Sequence, residues 1–91
     1  MSCCSYTIGT IIDISDIMNQ PYKFITIGKV PGDIYTYTRL VYSEETIILD
    51  HEYNEIGVED LKVGDTGVAF HSNAMTMSIP PQTSVFIIEV K

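Results

Sequence analysis

The sequence predicts a small all-β domain, built as a single β-barrel or sandwich. Isoleucine occurs 14 times, threonine 9 times and tyrosine 6 times against only 3 leucines; such β-branched and aromatic residues suit a pleated sheet. The apolar runs are short, and turn residues separate them. With 91 residues the chain is long enough for one such domain and too short for two. We therefore expect strands with at most one short helix.

Three strands are predicted in the first half of the chain. The first runs from Ser5 to Ile14 and is followed by turn residues at 16–21. Its apolar side chains lie on both faces, with Ile11 on one face and four others on the opposite face: Tyr6, Ile8, Ile12 and Ile14. Strands over 22–30 and 34–42 flank a tight turn at 31–33, which makes them the clearest hairpin in the sequence.

The second half of the chain predicts one helical turn and two or three further strands. Residues 46–50 either continue the third strand past a bulge or form a short separate strand. A helical turn over 58–61 precedes strands over 66–72 and 84–90, and two prolines exclude the connecting loop, 73–83, from the centre of a sheet. Three strands, a helical turn and two strands reproduce the order of an OB-type barrel, which we favour over a jelly roll or sandwich.

Both faces of the predicted sheet are apolar. A strand with one wet face alternates apolar and polar residues, but in the last strand Val85 and Ile87 alternate with Phe86 and Ile88. Single exposed apolar side chains on a monomeric barrel would account for part of this pattern. We favour burial of the outer face against another subunit, because large apolar patches are uncommon on monomers.

The charge balance argues against several classes of partner. Twelve acidic residues stand against five basic ones, giving a net charge of -7, and the basic residues are scattered. Nucleic acids and anionic membrane surfaces both need a concentrated basic patch, so we expect neither as a partner. The sequence lacks a 20-residue apolar run and the pattern of a signal peptide, which predicts no membrane insertion and no Sec export.

The two cysteines, Cys3 and Cys4, are adjacent and precede the first strand. A disulfide between neighbours is strained and closes no loop, so their use is expected outside the domain. Cross-links to neighbouring subunits, two thiols without a role and metal ligation with further residues are the alternatives. We divide the chain into a connector tail, 1–5, and a β domain, 6–91. The predicted subunit contacts are Cys3, Cys4, Ser5 and Tyr6, with the tail ordered by docking on a neighbour.

The segment Ser2-Cys3-Cys4-Ser5 ahead of a compact β domain resembles the subunits of bacterial endospore appendages. In that family an N-terminal connector inserts into neighbouring subunits and is held by disulfides, which implies a filament at the cell or spore surface. This chain departs from the family because its β domain contains no cysteine, so any covalent link would run from tail to tail. Residues 71–83 are also similar to a stretch of small β domains from spore-forming bacteria, a similarity that implies no known chemistry.

No motif for catalysis is present, and we predict neither an enzyme nor a bound cofactor. Gly64 and Gly67 have neither P-loop nor dinucleotide-binding spacing. His71, Met75 and Met77 are ligand types that suit copper(I), although loop methionines more often fill gaps in packing. The acidic residues of 50–60 do not match the calcium-binding EF-hand loop, and a solvated acidic face is the preferred interpretation.

Two hypotheses follow for function. The first is a structural subunit that self-assembles into an extracellular or spore-associated filament, with the tail as connector and the chain itself as partner. The second is a discrete OB-like module that uses loop 73–83 to bind a protein, sugar or metal. A cytoplasmic location is the alternative to the cell or spore surface.

Overall fold

Seven strands and two 3-10 turns form the fold in the computed structural model, which describes residues 4–17 and 19–91. The 3-10 turns span Ile34–Thr36 and Val58–Asp60. The strands, numbered in chain order, are β1 (Ser5–Asp16), β2 (Lys23–Gly28), β3 (Tyr37–Tyr42), β4 (Ile47–Leu49), β5 (Glu55–Ile56), β6 (Thr66–His71) and β7 (Gln82–Val90).

Five of these strands close into a barrel. β1, β2 and β3 form an antiparallel meander, β6 pairs with β1, and β7 pairs with β6, all antiparallel. A parallel pairing between β3 and β7 completes the ring. The order β1-β2-β3-β7-β6 is the OB-like order that the sequence predicts, and the all-β barrel is thereby confirmed. The short strands β4 and β5 extend the sheet beyond β7.

The predicted hairpin is present, but its connection is longer than a tight turn. β2 and β3 pair from Lys23↔Tyr42 to Gly28↔Tyr37. The prediction that the third strand starts at Ile34 is wrong, because the Asp33 side chain accepts from the Tyr35 amide at 3.1 Å and caps a 3-10 turn there. Of the predicted residues 46–50, Ile47–Leu49 form a separate strand, β4, which pairs in parallel with β7 beyond the end of β3.

Two bulges change which side chains face the barrel interior. The β1–β2 register shifts between Ile11 and Asp13, so that Ile11 is buried and Ile14 also packs against the core. The β6–β7 register shifts between Phe70 and His71, whose partners on β7 are Ile87 and Val85. The predicted alternation of the last strand is therefore wrong across Phe86: Val85 and Ile88 are both buried, while Phe86 is exposed.

The core fills the barrel with aliphatic side chains, which belong to Ile11, Ile25, Ile27, Leu40, Ile48, Leu61, Ala69, Val85 and Ile88. Leu61, at the end of the second 3-10 turn, is the only one of these outside a strand. Buried threonines are hydrogen-bonded: Thr46 Oγ1 donates to the Val85 carbonyl at 2.9 Å and so fixes the turn that starts β4. One subunit thus fills its own barrel interior, and the remaining apolar side chains lie outside that interior.

Candidate functional site

The outer surface of the barrel carries a continuous row of apolar side chains across four strands. Pairing places Tyr6 of β1 beside Phe70 of β6, Phe70 beside Ile87 of β7, and Ile87 beside Ile47 of β4. The adjacent row on the same face begins with Ile8 beside Val68. We call Tyr6, Ile8, Val68, Phe70, Ile87 and Ile47 the outer apolar face.

The two ends of this face are exposed, and its middle, formed by Val68, Phe70 and Ile87, is half-buried. Tyr6 is 64% exposed and Ile8 is 52% exposed, and the rings of Tyr6 and Phe70 lie 6.3 Å apart. Across these four strands the second row contains one carboxylate, that of Glu89, which pairs with Val68. Exposed apolar side chains that are contiguous in this way mark interaction surfaces more often than scattered ones do. The poor apolar–polar alternation within single strands predicts such a face, but only the register shows that the side chains line up.

The N-terminal segment lies at one end of this face. Ser5 and Tyr6, two predicted contact residues, are the first residues of β1 and pair with His71 and Phe70. Ser5 Oγ donates to Asn73 Oδ1, and Cys4 just ahead is half-buried. Cys3, the other predicted contact, lies outside the described residues. The structure therefore brings Ser5, at the start of β1, next to the loop that contains Asn73.

The loop from Ser72 to Pro81 is held by its own hydrogen bonds, while its side chains from Asn73 to Ile79 are exposed. Thr76 Oγ1 accepts from the Gln82 amide at 2.9 Å and lies 2.7 Å from Ser78 Oγ, which donates to the Pro80 carbonyl. The alternate side chains are exposed: Met77 completely, Ile79 to 65% and Met75 to 40%. We call Met75, Met77 and Ile79 the apolar loop tip. The expectation that loop methionines fill packing gaps is wrong for Met77.

A cavity of about 440 Å³ opens at the mouth of the barrel beneath this loop. Its walls come from the loop and from the segment after β2, and its floor from barrel residues; the lining is Thr7, Lys29, Tyr35, Thr36, Tyr37, Thr38, His71, Met75 and Pro81. Barrel mouths are common ligand sites, with volumes of about 300–1,000 Å³. Within residues 4–17 and 19–91 no carboxylate lies within 4.0 Å of the Lys29 ammonium, so this cation faces solvent beside the cavity.

His71 is buried at the floor of the cavity, and both its ring nitrogens are hydrogen-bonded. Nδ1 lies 3.0 Å from the Ser72 carbonyl oxygen, which can only accept, so Nδ1 carries the proton. Nε2 lies 2.8 Å from Thr7 Oγ1 and, in the neutral ring, accepts from that hydroxyl. This arrangement leaves His71 no lone pair for a metal, and the geometry does not favour the copper interpretation. His71 instead fixes the start of β1 to the end of β6.

The acidic segment lies at the other end of the molecule. β7 begins beside the loop and spans nine residues, roughly 26 Å. Near its far end Glu89 pairs with Leu49 of β4, and Leu49 also pairs with Glu55 of β5. Asp50 closes the turn that follows. Its carboxylate accepts from the amides of Asn54 at 2.9 Å and Glu52 at 2.8 Å, and these bonds, the Asn54 bond foremost, lower the pKa of the Asp50 carboxyl. The segment thus uses a carboxylate to hold a turn.

Comparison with known proteins identifies no relative of this chain. No family model matches the chain, and neither the curated proteins nor the solved structures yield a match. In the parts of the chain that the structure describes, no helix has the length and apolar character to cross a membrane.

Proposed function

We propose that this protein is a structural subunit that self-assembles into a homopolymer through its outer apolar face and N-terminal segment. The observation that carries the proposal is the aligned row Tyr6, Phe70, Ile87 and Ile47, in which Tyr6 and Ile47 are exposed and Phe70 and Ile87 are half-buried, although the barrel core is complete without them. The resemblance of the Cys-Cys tail to endospore appendage subunits supports a filament at the cell or spore surface.

The distribution of charge supports association of like chains at this surface. Residues 1–12 and 66–88 contain no Asp, Glu, Lys or Arg. These two stretches supply the first half of β1, all of β6, the loop and most of β7, which are neighbours in the sheet. Two copies that each carry a charge of -7 can meet there with reduced repulsion, because all twelve acidic residues lie outside these stretches and only Glu89, paired with Val68, enters the second row of the outer apolar face. The same charge elsewhere discourages non-specific aggregation.

We predict that the mass of the purified chain, measured by multi-angle light scattering, rises with concentration above the 10.2 kDa of one subunit. Negative-stain microscopy of the concentrated sample should show ordered polymers. A chain that lacks residues 1–3 keeps β1 intact and should assemble less readily, because most of the connector tail is gone. A constant mass of one subunit across the concentration range would contradict self-assembly.

The barrel-mouth cavity favours a second candidate function, that of a binding module. Tyr35 and Tyr37 offer aromatic walls, Met75 and Pro81 an apolar side, and Lys29 a single positive charge at the rim. This lining suits a small molecule with an apolar or aromatic body and one anionic group. Such a module would act as a discrete soluble species, in contrast to the polymer.

We predict that 8-anilino-1-naphthalenesulfonate, which has an aromatic body and one sulfonate, binds the cavity with saturable fluorescence. Tyr35→Ala removes an aromatic wall and should raise the Kd by up to about tenfold. Ile8→Ser, on the outer apolar face, is the control that separates cavity binding from binding to that face. If Ile8→Ser reduced the fluorescence and Tyr35→Ala did not, the cavity would not be the site.

A further inference from the structure

We propose that the apolar loop tip of one subunit docks on the outer apolar face of the next, so that copies join head to tail. This contact presupposes the proposed self-assembly and defines which two surfaces meet. The partner is therefore a second copy of this chain, and the contact joins two different patches rather than one patch to itself.

The loop is built to present its apolar side chains. Besides the bonds of Thr76 and Ser78, Thr83 Oγ1 lies 2.9 Å from the carbonyl oxygens of both Ser72 and Ala74, between which its single proton is shared. The Thr76 amide donates to the Gln82 carbonyl at 3.0 Å. The loop backbone is thus held in place while Met77 projects fully into solvent. A contact formed by a pre-ordered loop loses less conformational freedom on binding than one formed by a flexible loop.

The loop tip cannot cover the outer apolar face of its own subunit. Met75 and Pro81 line the barrel mouth together with Tyr35, so the loop leans over the opening of the barrel. Tyr6 and Ile8 point to the outside of β1, whereas Thr7 between them lines the mouth. Both apolar surfaces therefore remain exposed on one copy, and each can be buried only against another molecule.

The chemistry of the two surfaces matches. The tip lies within the uncharged stretch 66–88, and the outer apolar face has Glu89 as the one carboxylate in its two rows. Methionine side chains adapt to irregular apolar surfaces, and the aromatic rings of Tyr6 and Phe70 offer favourable contacts for their sulfur atoms. Because the tip and the face are different patches, repetition of the contact adds subunits without limit unless the rotation closes a ring.

The test uses one variant for each surface and their mixture. Met77→Glu places a carboxylate on the tip, and Ile8→Glu places one on the face; both sites are exposed, so the fold should be retained, as circular dichroism can verify. We expect each variant alone to need at least about a tenfold higher concentration to assemble than the wild type. Val63→Glu, exposed in the turn before β6 and on neither surface, is the matched control and should assemble as the wild type does.

The mixture of the two variants carries the decisive result. The intact tip of Ile8→Glu can still dock on the intact face of Met77→Glu, and the resulting pair has no functional surface left for growth. Sedimentation of the equimolar mixture should therefore give a dimer of twice 10.2 kDa. If the wild type assembles but Met77→Glu assembles equally well, or if the mixture stays monomeric, head-to-tail docking is overturned and self-assembly stands. If the wild type stays monomeric at every concentration, the proposal of self-assembly is itself overturned.

Discussion

Replacing Gly9 with alanine should lower the free energy of unfolding by about 3 kcal/mol, at the upper end of overpacking effects. Gly9 is a buried residue of β1, and the backbone of Gly28 in β2 lies next to it. A Cβ atom there would lie 2.5 Å from the Gly28 carbonyl oxygen and 2.8 Å from the carbonyl carbon. Both are backbone atoms and cannot rotate away, so the two strands would have to move apart and loosen the barrel.

Gly57→Ala is the matched control for this change. Gly57 has an ordinary extended conformation, with φ of -87°, and the atoms nearest to a new Cβ belong to the mobile carboxylate of Glu59. Alanine also restricts the unfolded chain more than glycine does, so the net effect should lie within about 0.5 kcal/mol of zero. Urea denaturation of both variants measures the difference. Equal losses of unfolding free energy at the two positions would show that the packing of β1 against β2 at Gly9 does not determine the stability of the barrel.

The order of the strands is predictable because local signals determine it. Turn residues at 31–33 between two apolar runs predict the β2–β3 hairpin, although its connection is longer than a tight turn, and glycine and proline residues separate the later strands. Bulges leave no such signal. The extra residue on β7 near Phe86 shows only when that strand is paired with β6, and it reverses the face of every residue beyond it.

The candidate surfaces were predictable only in part, for the same reason. An apolar outer face follows from the lack of apolar–polar alternation, but its continuity depends on the registers that align Tyr6 with Phe70 and Ile87 with Ile47. The loop carries methionines at alternate positions, yet only the structure shows that hydrogen bonds of Thr76 and Ser78 hold the loop while its side chains stay exposed. The two-residue strand β5 is too short and too polar to give a pattern at all.

Ile47 and Ile48 provide the sharpest test that the two faces of one strand have different roles. Ile48 is 1% exposed and pairs with the buried Ile88, whereas Ile47 is 41% exposed beside Ile87. Ile48→Ala should leave a cavity in the core and lower the free energy of unfolding by about 3 kcal/mol. Ile47→Ala removes the same atoms from a surface position and should cost less than about 1 kcal/mol.

The effects on association should run in the opposite order. Ile47 belongs to the outer apolar face, so Ile47→Ala should raise the concentration needed for assembly, while Ile48→Ala should leave it unchanged at temperatures where the variant is folded. Urea denaturation and light scattering on both variants give the four measurements. If Ile48→Ala weakened assembly as much as Ile47→Ala did, assembly would depend on global stability rather than on this face, because the two residues differ only in the side of the strand they occupy.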